Sequence, residues 1–312
     1  MSLERALELA ERGRETTHPN PLVGAVVVRD GEVVGEGWHE RKGEPHAEVN
    51  ALRAAGERAR GGTLYVTMEP CTHHGSTPPC TDAVVAAGIA RVVAASLDPN
   101  PQARGGLEVL SDAGVDVERD DRFEARAQNE AWRTWVSQQR PFVTYKVAVT
   151  LDGRVTMPGE RWISGKESTR LVHELRAASD AVAVGMGTVR ADNPRLDARG
   201  VDTQRQPRRL AFGRGPLPDG SELELRSGPL GDELGDLARD GVQSLLLEGG
   251  PTLAGAFFAQ GLVDKVLVFV APKLAGAGLR AFDGLDAPFT LRRLTALPSG
   301  EDVLLSAYVN EP

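Results

Sequence analysis

The sequence Pro45-His46-Ala47-Glu48, followed by Pro70-Cys71 and then by Cys80, decides the fold predicted for this 312-residue chain. An imidazole, a carboxylate and two thiols fall within a short span, and these are the only two cysteines of the chain. Imidazole and thiolate are typical zinc ligands, and three protein ligands leave one tetrahedral position for water. The pattern therefore predicts a catalytic zinc ion bound by His46, Cys71 and Cys80.

Glu48 stands two residues after His46, in the H-x-E order of zinc deaminases, where the carboxylate moves protons and does not bind the metal. Water on such a zinc ion becomes hydroxide near neutral pH and can attack an amidine-like ring carbon. Glu48 would then carry the proton to the departing ammonia. The alternative is a surface or capping His46 beside two cysteines that only fill the core, and the coincidence of all four residues argues against it.

Three further polar residues are candidates for contacts in the same region. His73 and His74 lie between the two cysteines, where contact with substrate or with solvent is a better prediction than metal ligation. Asn20 is flanked by Pro19 and Pro21, which hold it stiffly, and an amide side chain can pair with the donors and acceptors of a base edge. A simple turn is the alternative for Asn20.

Composition excludes several classes of protein. The formal net charge is −8 and no run is rich in lysine or arginine, so a protein for non-specific nucleic-acid binding is not expected. No apolar run approaches the roughly 20 residues of a membrane span. The chain opens with a charged helix and shows no signal peptide. Two cysteines in such a chain are typical of metal ligands or free thiols, and the expected compartment is the cytoplasm.

Strand and helix patterns alternate along the chain, which predicts an α/β fold, and 312 residues favour two domains. A helix is predicted over residues 122–139, and Gln139-Arg140-Pro141 follows it. We place the boundary there, which gives domains of residues 1–140 and 141–312. A closing antiparallel pair of strands is predicted near the end, over residues 289–297 and 303–309.

The second half contains a buried strand over residues 242–247, followed by Glu248-Gly249-Gly250-Pro251-Thr252 and a helix. Two glycines before a helix start leave backbone N–H groups free for a phosphate, although a plain tight turn is also possible. A complete G-x-G-x-x-G after the first strand of this half is missing, so the Rossmann fingerprint is absent. The residues alone predict an α/β domain with a possible phosphate or dinucleotide loop.

Three stretches resemble the bifunctional riboflavin-biosynthesis deaminase/reductase family: residues 17–21 (Thr-His-Pro-Asn-Pro), 46–49 (His-Ala-Glu-Val) and 69–80. Eight residues separate the cysteines in the third stretch, whereas nucleic-acid and nucleoside deaminases usually have two. The resemblance covers nearly the whole chain. It implies a cytidine-deaminase-like three-layer domain followed by a dihydrofolate-reductase-like α/β domain, with Zn²⁺ and NADPH as cofactors.

The resemblance also implies a substrate and the residues that bind it. The substrate would be a diaminopyrimidinone carrying ribose 5-phosphate, deaminated first and then reduced from ribosyl to ribityl by hydride transfer to C1. Lys146 would contact the ribose, with an ordinary surface lysine as the alternative. The remaining implied substrate contacts are Arg176, Leu196, Arg199 and Glu248. The implied cofactor contacts are Ala148, Trp162, Thr188, Asp192, Gly250, Pro251, Thr252, Leu253, Ala254, Gly255 and Ala256.

The second half departs from the family in two places. The family usually has Asp-Ser after the strand at residues 209–212, where this chain has Gly213-Arg214. Arg214 is therefore a candidate for the 2′-phosphate of the cofactor, with a solvated arginine as the alternative. The span of residues 214–240 is also shorter than in the family. The family pattern leads us to expect another strand and loop there, whereas the composition, rich in Gly, Asp and Leu, predicts a linker.

Two hypotheses of other classes remain open. One is a zinc deaminase of another base or nucleoside, and the other is a deaminase whose C-terminal domain only binds or dimerises. Under the leading hypothesis the partner is a small molecule, with neither nucleic acid nor membrane, and the protein is expected to be a homo-oligomer, either a dimer or a tetramer.

Overall fold

The computed structural model describes residues 2–75, 78–160, 162–203, 205–285 and 287–312. The chain divides into two compact units. The first runs to Gln138 and includes Pro312, and the second is Gln139–Glu311. In the part of the chain so described, no helix is both long and apolar enough to cross a membrane.

The first unit is built on a five-stranded sheet with strand order β2-β1-β3-β4-β5. Strands β2 and β3 pair antiparallel with β1, and β3, β4 and β5 are parallel. The elements of this unit are α1 Ser2–Glu11, β1 Gly24–Arg29, β2 Glu32–Trp38, α2 Ala47–Ala55, β3 Thr63–Val66, α3 Cys80–Ala86, β4 Arg91–Ala94, α4 Gly106–Asp112, β5 Asp116–Arg119, α5 Phe123–Gln128 and α6 Glu130–Gln138.

Helices cover both faces of this sheet. Since successive residues of a strand point to opposite faces, each strand contributes side chains to both helix layers. Ala25 and Val27 of β1 pack in a core with residues of α2, α3 and α4, whereas Val26 packs against α1. The predicted three-layer arrangement is confirmed.

The prediction of a single helix over residues 122–139 is wrong, since the structure has two helices that meet at Asn129. The Asn129 side chain accepts a hydrogen bond from the backbone N–H of Leu22 and donates one to its carbonyl, each 2.8 Å long. Asn129 is only 4% exposed, so this pairing satisfies a buried amide.

The second unit has an eight-stranded sheet with strand order β12-β13-β11-β6-β10-β7-β8-β9. All neighbouring strands from β11 to β9 are parallel, and β13 and β12 add an antiparallel edge, which confirms the predicted closing pair. The elements are β6 Phe142–Thr150, α7 Lys166–Ala178, β7 Ala181–Gly185, α8 Met186–Asp192, β8 Arg208–Phe212, β9 Glu224–Arg226, α9 Leu230–Arg239, β10 Ser244–Leu247, α10 Pro251–Ala259, β11 Lys265–Ala271, β12 Arg292–Ser299 and β13 Asp302–Tyr308.

The linker predicted within residues 214–240 is wrong, because β9 and α9 occupy this span. In α9 the buried side chains are Leu234, Leu237 and Ala238, which lie on one face of the helix. Leu234 and Leu237 belong to the main core of the unit. The span is therefore a packed part of the domain.

Strand β6 places core residues and polar site residues on opposite faces. Val143, Tyr145 and Val147 point into the main core, whereas Lys146 and Ala148 lie on the other face. Asp264, which is 1% exposed, anchors the strand's start by accepting hydrogen bonds from the Val143 N–H and from both terminal nitrogens of Arg140. The anchor fixes the start of β6 against the residue before β11.

Candidate functional site

Three different elements bring the predicted metal ligands together. His46 is the residue before α2, Cys80 is the first residue of α3, and Cys71 follows β3. The Nδ1 atom of His46 lies 3.2 Å from Cys80 Sγ and 3.5 Å from Cys71 Sγ, and all three ligand atoms lie within 4.8 Å of one another. A tetrahedral zinc ion would place its N and S ligands roughly 3.6 Å apart and two S ligands roughly 3.8 Å apart. The cluster therefore fits zinc.

The pKa values of the two thiols also favour the binding of a zinc ion. The pKa of Cys71 is lowered to about 4, because Cys80 and His46 hydrogen-bond to its thiolate and the imidazole is positively charged when protonated. The hydrogen bond to Cys71 and burial raise the pKa of Cys80 far above the ordinary value. Two buried thiolates side by side are thus unfavourable without a cation, and a divalent metal ion between them removes that cost.

Glu48 lies on the first turn of α2 and is 3% exposed. Burial raises the pKa of its carboxyl to about 7. Its Oε2 atom has no hydrogen-bond partner among the described residues. A buried carboxylate oxygen without a partner is costly, which indicates that it pairs with a bound water or substrate. A carboxyl group with a pKa near neutrality can both accept and donate a proton.

His39 is a site residue that the sequence analysis missed. It is 3% exposed, and its ring meets the ring of His46 edge-on at a centroid distance of 5.2 Å. Its Nδ1 lies 3.3 Å from the Pro45 carbonyl, and its Nε2 lies 3.1 Å from Asn20 Nδ2. Burial lowers the pKa of His39, so the ring is neutral, with Nδ1–H donating to Pro45 and Nε2 accepting from Asn20.

This pairing connects Asn20 to the metal ligand His46 through one intervening side chain, and Asn20 itself is half-buried. No sequence signal marked His39, because a lone histidine after a strand has no motif. Of the two histidines in the cysteine loop, His74 is exposed and His73 is half-buried, and neither belongs to the ligand cluster. Ser76 and Thr77 of this loop lie outside the described residues.

The segment from residue 96 to residue 106 packs against the cysteines and is held there by Glu69. This carboxylate accepts hydrogen bonds from the N–H groups of Asp98, at 2.9 Å, and Leu107, at 3.4 Å. Ala103 packs with Cys71 and Cys80, and its carbonyl accepts the N–H of Thr72. Gly106 also lies directly against the backbone carbonyl of Pro70, so that a Cβ atom there would overlap it.

Gly106→Ala is expected to lower the stability of the protein by about 1–3 kcal/mol and to reduce its zinc content, because Pro70 and Cys71 must move to make room. Urea unfolding and metal analysis of the purified variant measure both effects. Gly231→Ala is the matched control, since a Cβ at Gly231 meets nothing within 4 Å. Unchanged stability and zinc content in Gly106→Ala would contradict the packing described above.

In the second unit the structure brings Lys146, Arg176 and Glu248 together. Arg176 of α7 binds the Glu248 carboxylate through two nitrogens, at 2.6 and 3.0 Å, and Lys146 Nζ lies 3.9 Å from the same carboxylate. Burial tends to raise the pKa of Glu248, but Lys146 and Arg176 lower it below the ordinary value. Burial lowers the pKa of Lys146. The three side chains form a buried cluster of two basic groups around one carboxylate.

Leu196 and Arg199 lie on a loop beside this cluster. Leu196 is 2% exposed and packs in the core, so its side chain is not available to a ligand. Arg199 is half exposed, binds Asp197 at 2.6 Å, and donates its backbone N–H to His173. The Asp197 carbonyl also accepts a hydrogen bond from Arg176. No motif in the sequence marks His173 or Asp197, whose contacts join the loop to α7.

The predicted cofactor residues lie where parallel strands end, which is where open α/β sheets bind ligands. Thr188 and Asp192 are on α8 after β7, and Arg214 follows β8. Trp162 is 64% exposed, and Ala148 shares a face of β6 with Lys146. Among the predicted residues at the start of α10, Ala254 and Leu253 pack in the core.

A cavity of about 430 Å³ lies on the flank of α10, a size typical of small-molecule sites. The opposite wall is the segment from Leu279 to Gly284. Gly255 touches the Gly284 carbonyl so closely that a Cβ would overlap it. Four predicted cofactor residues line the cavity: Pro251, Thr252, Gly255 and Ala256.

Comparison with known families agrees with the two-unit structure. Residues 2–96 match the family described as the cytidine and deoxycytidylate deaminase zinc-binding region. Residues 141–219 and 228–305 match the RibD C-terminal domain. The interruption in the second match contains β9, the short strand after the Gly213-Arg214 departure.

Curated relatives match along almost their whole length. The riboflavin biosynthesis protein RibD of Aquifex aeolicus is 41% identical over 97% of this chain and 96% of its own, and that of Escherichia coli is 42% identical over 91% of each. The Aquifex alignment spans 343 positions, so that relative contains residues that this chain lacks.

Two solved structures extend the likeness to three dimensions. RibD of Acinetobacter baumannii is 36% identical with a TM-score of 0.83. A diaminohydroxyphosphoribosylaminopyrimidine deaminase and 5-amino-6-(5-phosphoribosylamino)uracil reductase from Thermotoga maritima is 34% identical with the same TM-score. Each covers 98% of this chain and 97% of its own. The chain therefore belongs to the RibD family of bifunctional riboflavin-biosynthesis deaminase/reductases, whose cofactors are zinc and NADPH.

Proposed function

We propose that this chain deaminates a diaminopyrimidinone carrying ribose 5-phosphate and then reduces the ribosyl group of the product to ribityl. The first reaction consumes water and releases ammonia. In the second, a hydride passes from NADPH to C1 of the sugar, the bond between C1 and the ring oxygen breaks, and that oxygen takes up a proton from solvent. We assign the first reaction to residues 1–140 and the second to residues 141–312. The observation that carries the proposal is the His46, Cys71 and Cys80 cluster with the buried carboxylate of Glu48 beside it.

In the deaminase unit, His46, Cys71 and Cys80 would hold the zinc ion, which supplies an activated water as the nucleophile when bound. Glu48, whose buried Oε2 has no partner among the described residues, would take up a proton there and pass it to the amino group that leaves. Burial raises the carboxyl pKa, which makes this group a better proton acceptor than an exposed carboxylate. Asn20, oriented by His39, donates or accepts at the edge of the pyrimidine ring and fixes its position.

In the reductase unit, the basic cluster of Arg176 and Lys146 around Glu248 would bind the hydroxyl and phosphate oxygens of the ribose phosphate. Arg199, on the loop joined to α7, adds a second guanidinium for the phosphate, and Leu196 offers its backbone. We assign NADPH to the carboxyl ends of β6, β7, β8 and β10, where Ala148, Trp162, Thr188, Asp192, Arg214 and residues 250–256 lie.

The test is to supply the diaminopyrimidinone phosphate to the purified protein with and without NADPH and to identify the products by mass spectrometry. Without NADPH we expect ammonia and the deaminated ribosyl compound, and with NADPH the ribityl compound and an equimolar loss of NADPH. Deamination without any NADPH consumption would instead favour a non-catalytic C-terminal unit. Deamination of cytidine or of tRNA would favour a deaminase of another base.

Removal of zinc by dialysis against a chelator is expected to abolish ammonia release, because the nucleophilic water loses its activation. Reduction of the separately supplied deaminated compound by NADPH should continue, since the proposed reductase residues contain no metal cluster within the described part of the chain. Ammonia and NADPH assays on the same sample measure both activities. Persistent ammonia release from zinc-free protein would refute the metal's role, and re-addition of Zn²⁺ is the control.

We also propose a cytoplasmic homo-oligomer, either a dimer or a tetramer. The support is an apolar surface on the antiparallel edge of the second unit, where large side chains are exposed that a monomer would hydrate at a cost. These side chains are Phe289, Leu291, Leu294, Leu297 and Val303. Light scattering after size-exclusion chromatography measures the mass, and a strictly monomeric protein would exclude the proposal.

A further inference from the structure

Two arginines lie on the segments that follow β7 and β8, at the carboxyl ends of these strands. Arg190 belongs to α8, which connects these strands, and Arg214 comes two residues after the end of β8. Arg190 Nη2 donates a hydrogen bond of 2.8 Å to the backbone carbonyl of Arg214. Both side chains are exposed to solvent. The contact therefore holds the arginine-bearing turn after β8 against α8.

Two glycines make this close approach possible. Gly213 has a φ of +136°, and a Cβ there would come within 2.9 Å of the Met186 side chain at the start of α8. Gly215 has a φ of +101°, and a Cβ there would come within 2.9 Å of Arg190 Nη2. Since other residues rarely adopt such φ values, the Gly-Arg-Gly turn is shaped to seat Arg214 beside Arg190.

In the segments that the structure describes, Arg190 and Arg214 lack the carboxylate partners that the arginines of the neighbouring strands have. Arg208 and Arg209 of β8 bind Glu224 and Glu222, and Arg226 of β9 binds Glu224 and Glu233. Among the residues that the structure describes, no carboxylate lies within ion-pair distance of Arg190 or Arg214. In a chain with a net charge of −8, two exposed arginines on segments in contact, each without a carboxylate partner among the described residues, indicate a surface for an anion.

The position of the pair indicates which anion. In open parallel sheets a dinucleotide lies across the carboxyl ends of the strands, and β7 and then β8 follow β10, the strand that ends at the Gly249-Gly250 turn, in the order of the sheet. An acidic residue there binds the free 2′-hydroxyl of NADH, whereas an arginine accommodates the 2′-phosphate of NADPH. The residues after β8 are Gly213-Arg214-Gly215-Pro216, and no acidic residue occurs before Asp219.

We propose that Arg190 and Arg214 bind the 2′-phosphate of the cofactor and make this chain select NADPH over NADH. Arg214 presents its guanidinium to the phosphate, and Arg190 both adds charge and holds the Arg214 backbone in place. Asp192 lies two residues along α8, roughly 200° around the helix axis, and so points away from the Arg190 side chain. The inference rests on the proposed reductase function and deepens it.

The test is to titrate the full-length protein with NADPH and with NADH, following the fluorescence of the reduced nicotinamide. Arg214→Gln is expected to weaken NADPH binding about tenfold to a hundredfold, the range for a lost charge-assisted contact, and to leave NADH binding unchanged. Arg190→Gln should act in the same direction. Arg214→Lys should retain part of the preference, because it keeps the charge but loses the bidentate fork.

Arg53→Gln is the matched control, because Arg53 is an exposed arginine on α2 of the first unit, which carries none of the proposed NADPH residues. It should change the affinity for neither cofactor. Competition by adenosine 2′,5′-bisphosphate and by 5′-AMP gives a second measurement that does not involve the nicotinamide. Only the bisphosphate should lose affinity in Arg214→Gln.

An NADPH-to-NADH affinity ratio that stays at the wild-type value in both Arg190→Gln and Arg214→Gln would overturn the inference and leave the reductase proposal standing. A wild-type protein that binds neither NADPH nor NADH would overturn both. The two failures are therefore distinguishable in the same titrations.

Discussion

Glu48→Gln is expected to slow ammonia release by about 10²–10⁴-fold, the range for loss of a general acid–base group. Glutamine keeps the size of the side chain, which is 3% exposed, but cannot take up a proton and pass it on. The three ligand atoms lie on other residues, so the variant should retain its zinc. Ammonia release under saturating substrate, together with metal analysis, measures the two quantities on one preparation.

The internal control for Glu48→Gln is the second reaction, since NADPH-dependent reduction of the separately supplied deaminated compound should proceed as in the wild type. Glu57→Gln, which changes an exposed carboxyl of the same unit, is the matched control variant and should leave both reactions unchanged. Ammonia release by Glu48→Gln at the wild-type rate would contradict the assigned proton transfer.

Glu248→Gln is expected to destabilise the second unit by about 3–5 kcal/mol, the usual cost of removing one partner from a buried ion pair. The change leaves Arg176 and Lys146 close together in a buried site without their shared carboxylate. Reduction should be lost as well, because these side chains form the proposed ribose phosphate site. Urea unfolding at neutral pH and NADPH consumption measure the two effects.

The destabilisation caused by Glu248→Gln should depend on pH in a defined direction. The folded pKa of Glu248 lies below the ordinary value of 4.5, so its contribution to stability is complete above that value and is lost as the pH falls through the folded pKa. The difference in stability between the wild type and Glu248→Gln should therefore be largest near neutral pH and shrink in acid. Unfolding midpoints measured along a pH series report this difference.

Glu174→Gln is the matched control for Glu248→Gln. Glu174 pairs with Arg170 on the exposed side of α7, at 3.1 Å, and such surface pairs contribute about 0–1 kcal/mol. Equal destabilisation by Glu174→Gln and Glu248→Gln would show that the buried cluster has no special importance for stability.

Sequence alone predicted the metal cluster well, because its residue types and order are dictated by the chemistry of zinc. His46, Cys71 and Cys80 meet in the structure from three separate elements, although only their spacing was visible beforehand. The same logic failed for His39, which acts through a hydrogen bond to Asn20 and a ring contact with His46. Such contacts depend on the folded backbone and leave no pattern in the sequence.

The errors in the fold have similar physical causes. In α9 the buried leucines are separated by glycine and aspartate, whose poor helix propensity hid the helical period until packing against the core stabilised it. At Asn129 a helical pattern continues through the residue, but the amide pairs with Leu22, which is distant in sequence, and the helix is interrupted. Tertiary contacts decided both elements.

The anchor formed by Asp264 bears on how the two activities can be separated in the laboratory. A fragment that starts at residue 141 would keep the buried Asp264 but lose Arg140, which binds it through two nitrogens at 2.6 and 2.7 Å. The freed carboxylate would loosen the first residues of β6, the strand that carries Lys146. An excised reductase should therefore begin no later than Gln139, and poor expression of a shorter fragment would reflect the position of the cut.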